Sequence, residues 1–166
     1  MVLAFFGPTC SGKTSIAREV HRRHGIPVRH CGEAVKSFAA ARGVRLSEMT
    51  IEDHVAIDSE TRNMAEATNG ALLIEGTFLD VVLQDVTQQV TMIRLCCSEA
   101  ERINRFLHRR RGTEEDFRKR EELDDNLRHL LYEGRAIRSD FLVADTTGMS
   151  VEQAAGEAWN MFKRSR

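Results

Sequence analysis

The 166-residue sequence lacks the features that mark several classes of protein. Its net charge is only −1, so no overall electrostatic field draws the chain to nucleic acid or to a membrane surface. No apolar run approaches the roughly 20 residues that a membrane-spanning helix needs. The first residues, MVLAFF, lack the basic region of a signal peptide. We therefore expect a cytoplasmic protein without a nucleic-acid or membrane partner.

The sequence also lacks the cysteine spacings of metal sites. Cys10, Cys31, Cys96 and Cys97 form neither a CxxC pair nor a Cys/His ligand pattern, and in a cytoplasmic chain they should stay reduced. Aromatic residues make up only 6% of the chain, which leaves few rings for stacking on nucleic-acid bases. These shortages disfavour a zinc domain, a disulfide framework and a single-strand-binding surface.

Short apolar runs alternate with segments of helical periodicity along the whole chain. We predict strands at residues 2–6, 26–30, 71–75, 90–96 and 140–145, with helix starts marked by Ser47, Ser98, Thr113 and Ser150. Strands that alternate with helices indicate a parallel sheet covered on both faces, here as one domain spanning residues 1–166. Ligands of such sheets bind where the strands end, so the polar residues that follow each strand are the candidate site.

The segment GPTCSGKT fits the pattern G-x-x-x-x-G-K-[ST] and lies between a predicted strand and a predicted helix. Its glycines let the loop curl so that backbone N–H groups point at phosphate oxygens, and the helix start adds its positive end. Lys13 is expected to reach the β- and γ-phosphates, and the Thr14 hydroxyl to bind Mg²⁺. We call this segment, residues 7–14, the P-loop. It predicts binding of a nucleoside triphosphate by Gly7, Thr9, Cys10, Ser11, Gly12, Lys13 and Thr14.

The segment RINRFLHRRRGTEEDFRKR is rich in arginine. A nucleic-acid patch is disfavoured because acidic residues are interspersed with the arginines and follow them, whereas a solvated helical face is the default for such a charge run. A phosphate-binding lid is favoured beside a P-loop, since arginines that close on a transferring phosphoryl group stabilise its charge. We expect the lid at about residues 109–122, with Arg102 and Arg111 solvated.

The P-loop alone does not separate kinases from switch GTPases and remodelling ATPases. The sequence has no NKxD motif for reading guanine, and remodelling ATPases usually have longer chains. A small P-loop protein with an arginine-rich helix pair fits a kinase that phosphorylates a small acceptor.

On these motifs the chain resembles the nucleoside monophosphate kinases, and most closely their cytidylate kinase-like branch. The resemblance rests on GPTCSGKT, HCGEAVKSFAAARGV, AIDSETRNMAEATNGALLIEG, RKREELDD and DFLVADTTGMSVEQ. It implies a P-loop kinase three-layer sandwich, with a five-stranded parallel sheet of order 2-3-1-4-5, a helical lid and acceptor-binding helices at about residues 31–69. It also implies transfer of the γ-phosphoryl group of Mg-ATP to a nucleoside monophosphate, with a pyrimidine base favoured.

The resemblance also assigns roles to single residues. Arg118 and Arg120 match the lid pair that stabilises the transferring group beside Lys13, and Arg109 would stack on adenine. Glu75 would end the strand next to the P-loop strand, where a carboxylate can hold a Mg²⁺-bound water or accept a hydroxyl proton.

The acceptor side departs from the family at Thr77. Many relatives read EGR or DGR where this chain has EGT, and their arginine grips the acceptor phosphate. Lys36 falls where the family places another phosphate-binding arginine, and Arg62 could replace the missing one from a neighbouring helix. Alternatively, the acceptor lacks that phosphate and is a hydroxyl compound, for which Glu33 is a candidate base.

A helical spacing of four places His54, Asp58 and Arg62 on one face of a helix. This face is either a surface ladder in which Asp58 pairs with Arg62, or part of the acceptor site, and we favour an acceptor-binding Asp58. Asp80 is expected in a solvated loop.

Three functions follow in order. The first is phosphoryl transfer from Mg-ATP to a (pyrimidine) nucleoside monophosphate. The second is a small-molecule hydroxyl kinase for a nucleoside, an antibiotic or a biosynthetic metabolite, and the third is a non-catalytic, nucleotide-dependent binding module. The partner would be a small-molecule acceptor, and the protein a monomer or a homodimer.

Overall fold

The computed structural model describes residues 1–110 and 112–166, and within these ranges it contains a five-stranded parallel sheet. The strands are β1 (Val2–Phe6), β2 (Val28–His30), β3 (Leu72–Glu75), β4 (Val90–Cys96) and β5 (Phe141–Asp145). Their order across the sheet is β2-β3-β1-β4-β5, which confirms the order that the resemblance implied.

Helices connect the strands and cover both faces of the sheet. They are α1 (Lys13–His24), α2 (Cys31–Arg42), α3 (Ile51–Ala67), α4 (Leu79–Val82), α5 (Glu99–Arg110), α6 (Glu114–Tyr132) and α7 (Val151–Arg164). Across the described residues, none of the helices is long and apolar enough to cross a lipid bilayer.

Two hydrophobic cores lie on opposite faces of the sheet. Alternation along β1 sends Val2, Ala4 and Phe6 to one core, with residues of α4 and the end of α6. It sends Leu3 and Phe5 to the other core, against α1 and α7. All of β1 is buried, as is usual for a central strand covered on both faces. The burial holds the P-loop, which follows β1, on a rigid support.

Side-chain caps fix most helix starts where the sequence indicates them. Thr113 and Ser150 accept hydrogen bonds from the N–H groups of Asp116 and Gln153, and the Ser98 hydroxyl accepts from the N–H of Glu101, so these three predicted caps are confirmed. The prediction for Ser47 is wrong, because this residue lies in a short 3₁₀ turn, Leu46–Glu48. The helix instead begins after Thr50, whose hydroxyl accepts from the N–H of Asp53 in a reciprocal capping box.

The strand ends meet at one edge of the sheet. In the parallel register, Glu75 at the end of β3 lies opposite Phe5 of β1 on one side and His30 of β2 on the other. The P-loop begins two residues after Phe5, so Glu75, His30 and the loop share this edge. The edge is therefore where a ligand of this fold binds.

Candidate active site

The P-loop has a backbone that requires glycine at its ends. Gly7 has a φ of 141°, and a Cβ added there would lie 2.3 Å from the carbonyl oxygen of Leu95. Gly12, with a φ of 99°, caps α1 and starts the helix that points its positive end into the loop. Ser11 is completely buried, and its hydroxyl has no hydrogen-bond partner among the described residues. This loop has the form of a cradle for an anionic ligand.

Lys13 folds back over the cradle. Its Nζ donates to the carbonyl oxygens of Gly7 and Pro8 at 2.8 and 2.7 Å. Burial lowers the pKa of Lys13 to about 8, an effect that the carboxylates of Glu75 and Asp124 oppose. The ammonium group is thus poorly solvated and close to acidic groups. A bound polyphosphate would offset the free-energy cost of burying this positive charge.

Glu75 is the centre of a hydrogen-bonded cluster at the edge of the sheet. It is only 4% exposed. One of its oxygens, Oε1, accepts from the hydroxyl of Thr14 at 3.1 Å and lies 3.0 Å from Nδ1 of His30. Because a carboxylate accepts hydrogen bonds, Nδ1 of His30 donates in this contact. The sequence-predicted pair Thr14 and Glu75 is therefore brought together beside Lys13.

Helices α5 and α6 hold the P-loop from the lid side. The Thr9 hydroxyl donates to Asp124 Oδ2 at 3.0 Å, and the Thr9 carbonyl oxygen lies 3.4 Å from Nη1 of Arg102. Arg102 also pairs with Glu121 and lies 5.3 Å from the centre of the Phe117 ring. The prediction that Arg102 is solvated is wrong, because its side chain is only 12% exposed and braces the loop.

The other lid arginines take separate positions. Arg120 pairs with Asp124 at 3.1 Å, and Asp124 is also the carboxylate that accepts from Thr9 of the P-loop. Arg118 is exposed and pairs with Glu114 and Glu99. The end of α5 is tied to α1 by Arg109, which donates to the Ser15 hydroxyl at 3.1 Å. Arg111, also expected to be solvated, lies outside the described residues.

A second link joins the P-loop to the loop after β5. The Thr146 hydroxyl lies 3.0 Å from the carbonyl oxygens of both Ser11 and Cys96, and Arg105 donates to the Thr146 carbonyl at 2.9 Å. Thr146 is one of the polar residues that the sequence predicts for the site, because it follows the last strand, whereas Arg105 is not predicted as a site residue. The polar residues after the last strand were the available signal, since every such loop borders the same edge.

The acceptor side contains a polar pair between α3 and α6. Tyr132 donates to Asp58 Oδ2 at 2.6 Å, and its ring lies 5.5 Å from that of Phe78 in an edge-to-face contact. Burial raises the pKa of Asp58, and the hydrogen bond from Tyr132 opposes that rise. Burial, with the nearby carboxylate, also raises the pKa of Tyr132. Cys31 packs here as a partly buried thiol, and desolvation raises its pKa to about 12. We call Cys31, Asp58, Phe78 and Tyr132 the acceptor wall.

Asp58 does not form the surface ladder that the spacing allowed. Arg62 instead donates through Nε to the carbonyl oxygen of Val82 at 3.1 Å. Glu33 lies in an exposed ion pair with Arg18, at 2.6 Å, on the outer side of α1 and α2. Lys36 is exposed on α2, and Thr77 is partly exposed just beyond the end of β3. Of the predicted acceptor residues, only Asp58 is part of the acceptor wall.

Asp80 is the clearest correction on this side of the molecule. It lies in the short helix α4 rather than in a solvated loop, and it is 7% exposed. Both of its oxygens accept from Arg128, at 3.1 and 2.6 Å, in a two-pronged ion pair. Arg128 and Tyr132 are four residues apart on α6, so helical spacing could have predicted that they lie on the same face of the helix.

Comparison with known proteins agrees with this geometry. A family model described as an AAA domain matches residues 4–128, which is more than half of the chain. No match is found among the curated proteins. An uncharacterized protein from Eubacterium ventriosum superposes with a TM-score of 0.70 at 14% identity, covering 100% of this chain and 99% of the other.

Two kinases are similar as well. A gluconokinase from Sinorhizobium meliloti superposes with a TM-score of 0.61 at 15% identity, covering 99% of this chain and 97% of the other. A shikimate kinase from Acinetobacter baumannii, solved in complex with shikimate, gives a TM-score of 0.64 at 12% identity, covering 99% and 94%. At these identities the likeness establishes the fold, which is that of P-loop kinases.

Proposed function

The chain belongs to the AAA domain family, and we propose that it is an ATP-dependent kinase that transfers the γ-phosphoryl group of Mg-ATP to a small acceptor. The observation that carries this proposal is the cluster at the edge of the sheet. There Lys13 of the P-loop, the Thr14 hydroxyl and the buried Glu75 carboxylate lie together at the ends of neighbouring strands. A kinase needs this combination of phosphate-binding N–H groups, a cation and metal-binding oxygens.

The residues present fit the nucleotide and the metal ion. The loop that Gly7 and Gly12 permit offers backbone N–H groups, and the buried Ser11 hydroxyl has no partner among the described residues. Thr14 would hold Mg²⁺ directly, and Glu75 would hold it through water. The metal ion would neutralise charge that develops on the phosphate oxygens. Within this chain, Lys13 binds the phosphates and Thr9, fixed by Asp124, keeps the loop in place.

The reaction balances without another reactant. An acceptor oxygen forms a bond to the γ-phosphorus, the bond from that phosphorus to the oxygen of ADP breaks, and ADP leaves with its electron pair. A hydroxyl acceptor also loses a proton, for which Glu75 is the best-placed carboxylate because Glu33 is engaged with Arg18 at the surface. A phosphate acceptor is already ionised and needs no base.

Two classes of acceptor are candidates. A small hydroxyl compound is supported by Thr77, which takes the place of a phosphate-gripping arginine, and by the gluconokinase and shikimate kinase folds. A nucleoside monophosphate, as in a cytidylate kinase-like enzyme, is supported by the sequence resemblance and by the exposed Lys36.

For the lid we propose residues 109–122, with Arg118 and Arg120 moving onto the transferring group and Arg109 lying against adenine. Arg118 is at present held by exposed carboxylates, and such ion pairs are weak. Arg120 is half-exposed and pairs with the buried carboxylate of Asp124. Closure of the lid would therefore require little energy to break the ion pairs of Arg118. We also propose that the kinase acts in the cytoplasm as a monomer or homodimer.

An ADP-release assay tests the proposed activity. Purified protein with Mg-ATP is screened against nucleosides, nucleoside monophosphates, polyols, amino alcohols and sugar acids, including gluconate and shikimate, with Lys13→Ala as the control. We expect ADP release that depends on one acceptor and that falls by about 10³-fold or more in Lys13→Ala. Tight ATP binding without transfer to any acceptor would support the binding module and contradict the proposal.

A further inference from the structure

We infer, on the basis of the proposed kinase activity, that the acceptor is a neutral or cationic hydroxyl compound, because Arg128 and other arginines on this side of the molecule are already engaged by carboxylates and carbonyl groups of the protein. The acceptor wall itself presents an aspartate, a tyrosine, a phenylalanine and a thiol. The inference concerns which charge class of substrate this surface accepts.

Arg128 is the cation best placed to bind an anionic acceptor, and Asp80 occupies it. The Arg128 guanidinium lies 5.9 Å from the Phe78 ring, whose other neighbour is Tyr132 of the acceptor wall. Both terminal nitrogens of Arg128 are taken up by the two oxygens of Asp80. A planar two-pronged contact of this kind is the one that an incoming carboxylate or phosphate would make. Asp80 thus occupies the position at Arg128 that an anionic group of an acceptor would take.

Other arginines on this side are also engaged. Arg62 donates through Nε to the carbonyl oxygen of Val82. Arg29 of β2 pairs with Glu60 at 2.6 Å, and Arg42 at the end of α2 pairs with the buried Asp53. Binding a phosphate through the paired terminal nitrogens of Arg29 or Arg42 would first require breaking an ion pair, which lowers the net gain.

Arg135 and Lys36 are further cations on this side among the residues that the structure describes. Arg135 lies 5.9 Å from the centre of the Tyr132 ring, and its charge acts on Asp58 in the direction that opposes the rise in the pKa of that carboxyl group. Lys36 is exposed on α2. Its ammonium group is strongly hydrated and cannot make the two-pronged contact with an anion that a guanidinium makes.

Two carboxylates face the acceptor, and each already accepts hydrogen bonds within the protein. Glu75 is buried at the strand end, and Asp58 receives one donor on Oδ2, from Tyr132. A hydroxyl or ammonium group can donate to such oxygens, whereas an acceptor phosphate would be repelled by them. The same surface therefore selects for donors of hydrogen bonds and against anions.

Matched substrates measure this selectivity directly. The wild-type protein is assayed by ADP release with each nucleoside against its own 5′-monophosphate, and with each polyol against the corresponding amino alcohol and sugar acid. We expect kcat/KM for the neutral or cationic member to exceed that of the anionic member by about tenfold or more. Higher kcat/KM for the monophosphates or acids would overturn the inference while leaving the kinase activity intact. If none of the acceptors stimulates ADP release, the proposed function is overturned instead.

Asp80→Asn tests whether the internal carboxylate sets the selectivity. The variant leaves the guanidinium of Arg128 without its charged partner, so we expect kcat/KM for the anionic members to rise about tenfold relative to the neutral members. Asp140→Asn is the matched control, because Asp140 also makes a two-pronged pair, with Arg138, but lies at the exposed start of β5. The control should leave the ratio unchanged.

The variant's own stability must be measured beside its activity. Removing one partner of a partly buried ion pair destabilises a fold, so circular dichroism melts accompany each assay. The double variant Asp80→Asn with Arg128→Gln removes both charges and should return the ratio to that of the wild type. A ratio that stays constant in a folded Asp80→Asn protein contradicts the role of Asp80. If that variant does not fold, the substrate pairs on the wild type decide the inference.

Discussion

Removing the hydroxyl of Tyr132 should destabilise the fold and change the acidity of Asp58. The Tyr132→Phe substitution keeps the ring against Phe78 but deletes the 2.6 Å hydrogen bond to the Asp58 carboxylate. Tyr132 is 8% exposed, so little water can replace the lost donor. A hydrogen bond to a charged group contributes roughly 1.5–3 kcal/mol, and we expect a loss of about 2 kcal/mol in the free energy of unfolding.

The loss can be measured as a shift in melting temperature. For a domain of this size, about 2 kcal/mol corresponds to a fall of about 4–8 °C. Thr87→Val is the matched control, because the Thr87 hydroxyl also donates to a carboxylate, that of Glu66 at 3.0 Å, but on the exposed surface. The control should change the free energy by less than about 0.5 kcal/mol. A Tyr132→Phe protein that melts within 1 °C or so of the wild type would refute the role assigned to this bond.

The same substitution has a defined dependence on pH. Burial raises the pKa of Asp58 above its ordinary value of 3.8, and the Tyr132 hydroxyl partly opposes this rise. In Tyr132→Phe the pKa of Asp58 should therefore be higher still. The variant's folded state then binds a proton more readily, so the stability difference from the wild type is fully present at neutral pH and shrinks as pH falls through the raised pKa. Urea unfolding at several pH values, with carboxyl NMR, checks both effects. A difference that is larger at acidic pH would contradict this account.

Three further predictions concern the nucleotide site. Gly7→Ala places a Cβ against the backbone of β4 at a φ of 141°, so we expect a fall of about 4 °C or more in melting temperature and loss of ATP binding, whereas Gly70→Ala, in open space, should change neither. Arg118→Ala and Arg120→Ala should each lower kcat about tenfold with a small change in ATP affinity, and equal losses of both quantities would indicate ground-state binding. Because burial lowers the pKa of Lys13 to about 8, ATP affinity measured by calorimetry should fall as pH rises above 8, and a flat profile would contradict a charged Lys13 in binding.

Local patterns explain why much of the fold could be predicted. The strands of the core are continuous apolar runs, and Thr113 and Ser150 lie three residues before the groups that complete their caps. Such signals depend on neighbours in the chain. The helix start at Ser47 was wrong because Thr50, a few residues on, has the better partner in Asp53. Helix α4 was missed because its four residues are too few to display a period.

The nucleotide side of the candidate site was likewise accessible from the sequence. Gly7 to Thr14 is one contiguous segment between a strand and a helix, and the position of Glu75 follows from its place at the end of β3. The bracing groups were not accessible. Thr9 and Asp124 are 115 residues apart, and nothing in the sequence around either residue indicates the other.

The sequence by itself determined a phosphate cradle on a parallel sheet, because the groups that form it are consecutive and the backbone supplies most of its contacts. Only the tertiary structure decided which charged side chains remain available to an acceptor. Asp80 and Arg128 are 48 residues apart and Asp58 and Tyr132 are 74 apart, and each pair meets through the packing of α6 against α4 and α3. Whether an arginine pairs with a carboxylate depends on burial and distance in three dimensions. Nothing in the sequence therefore distinguishes Arg128 from a solvated arginine.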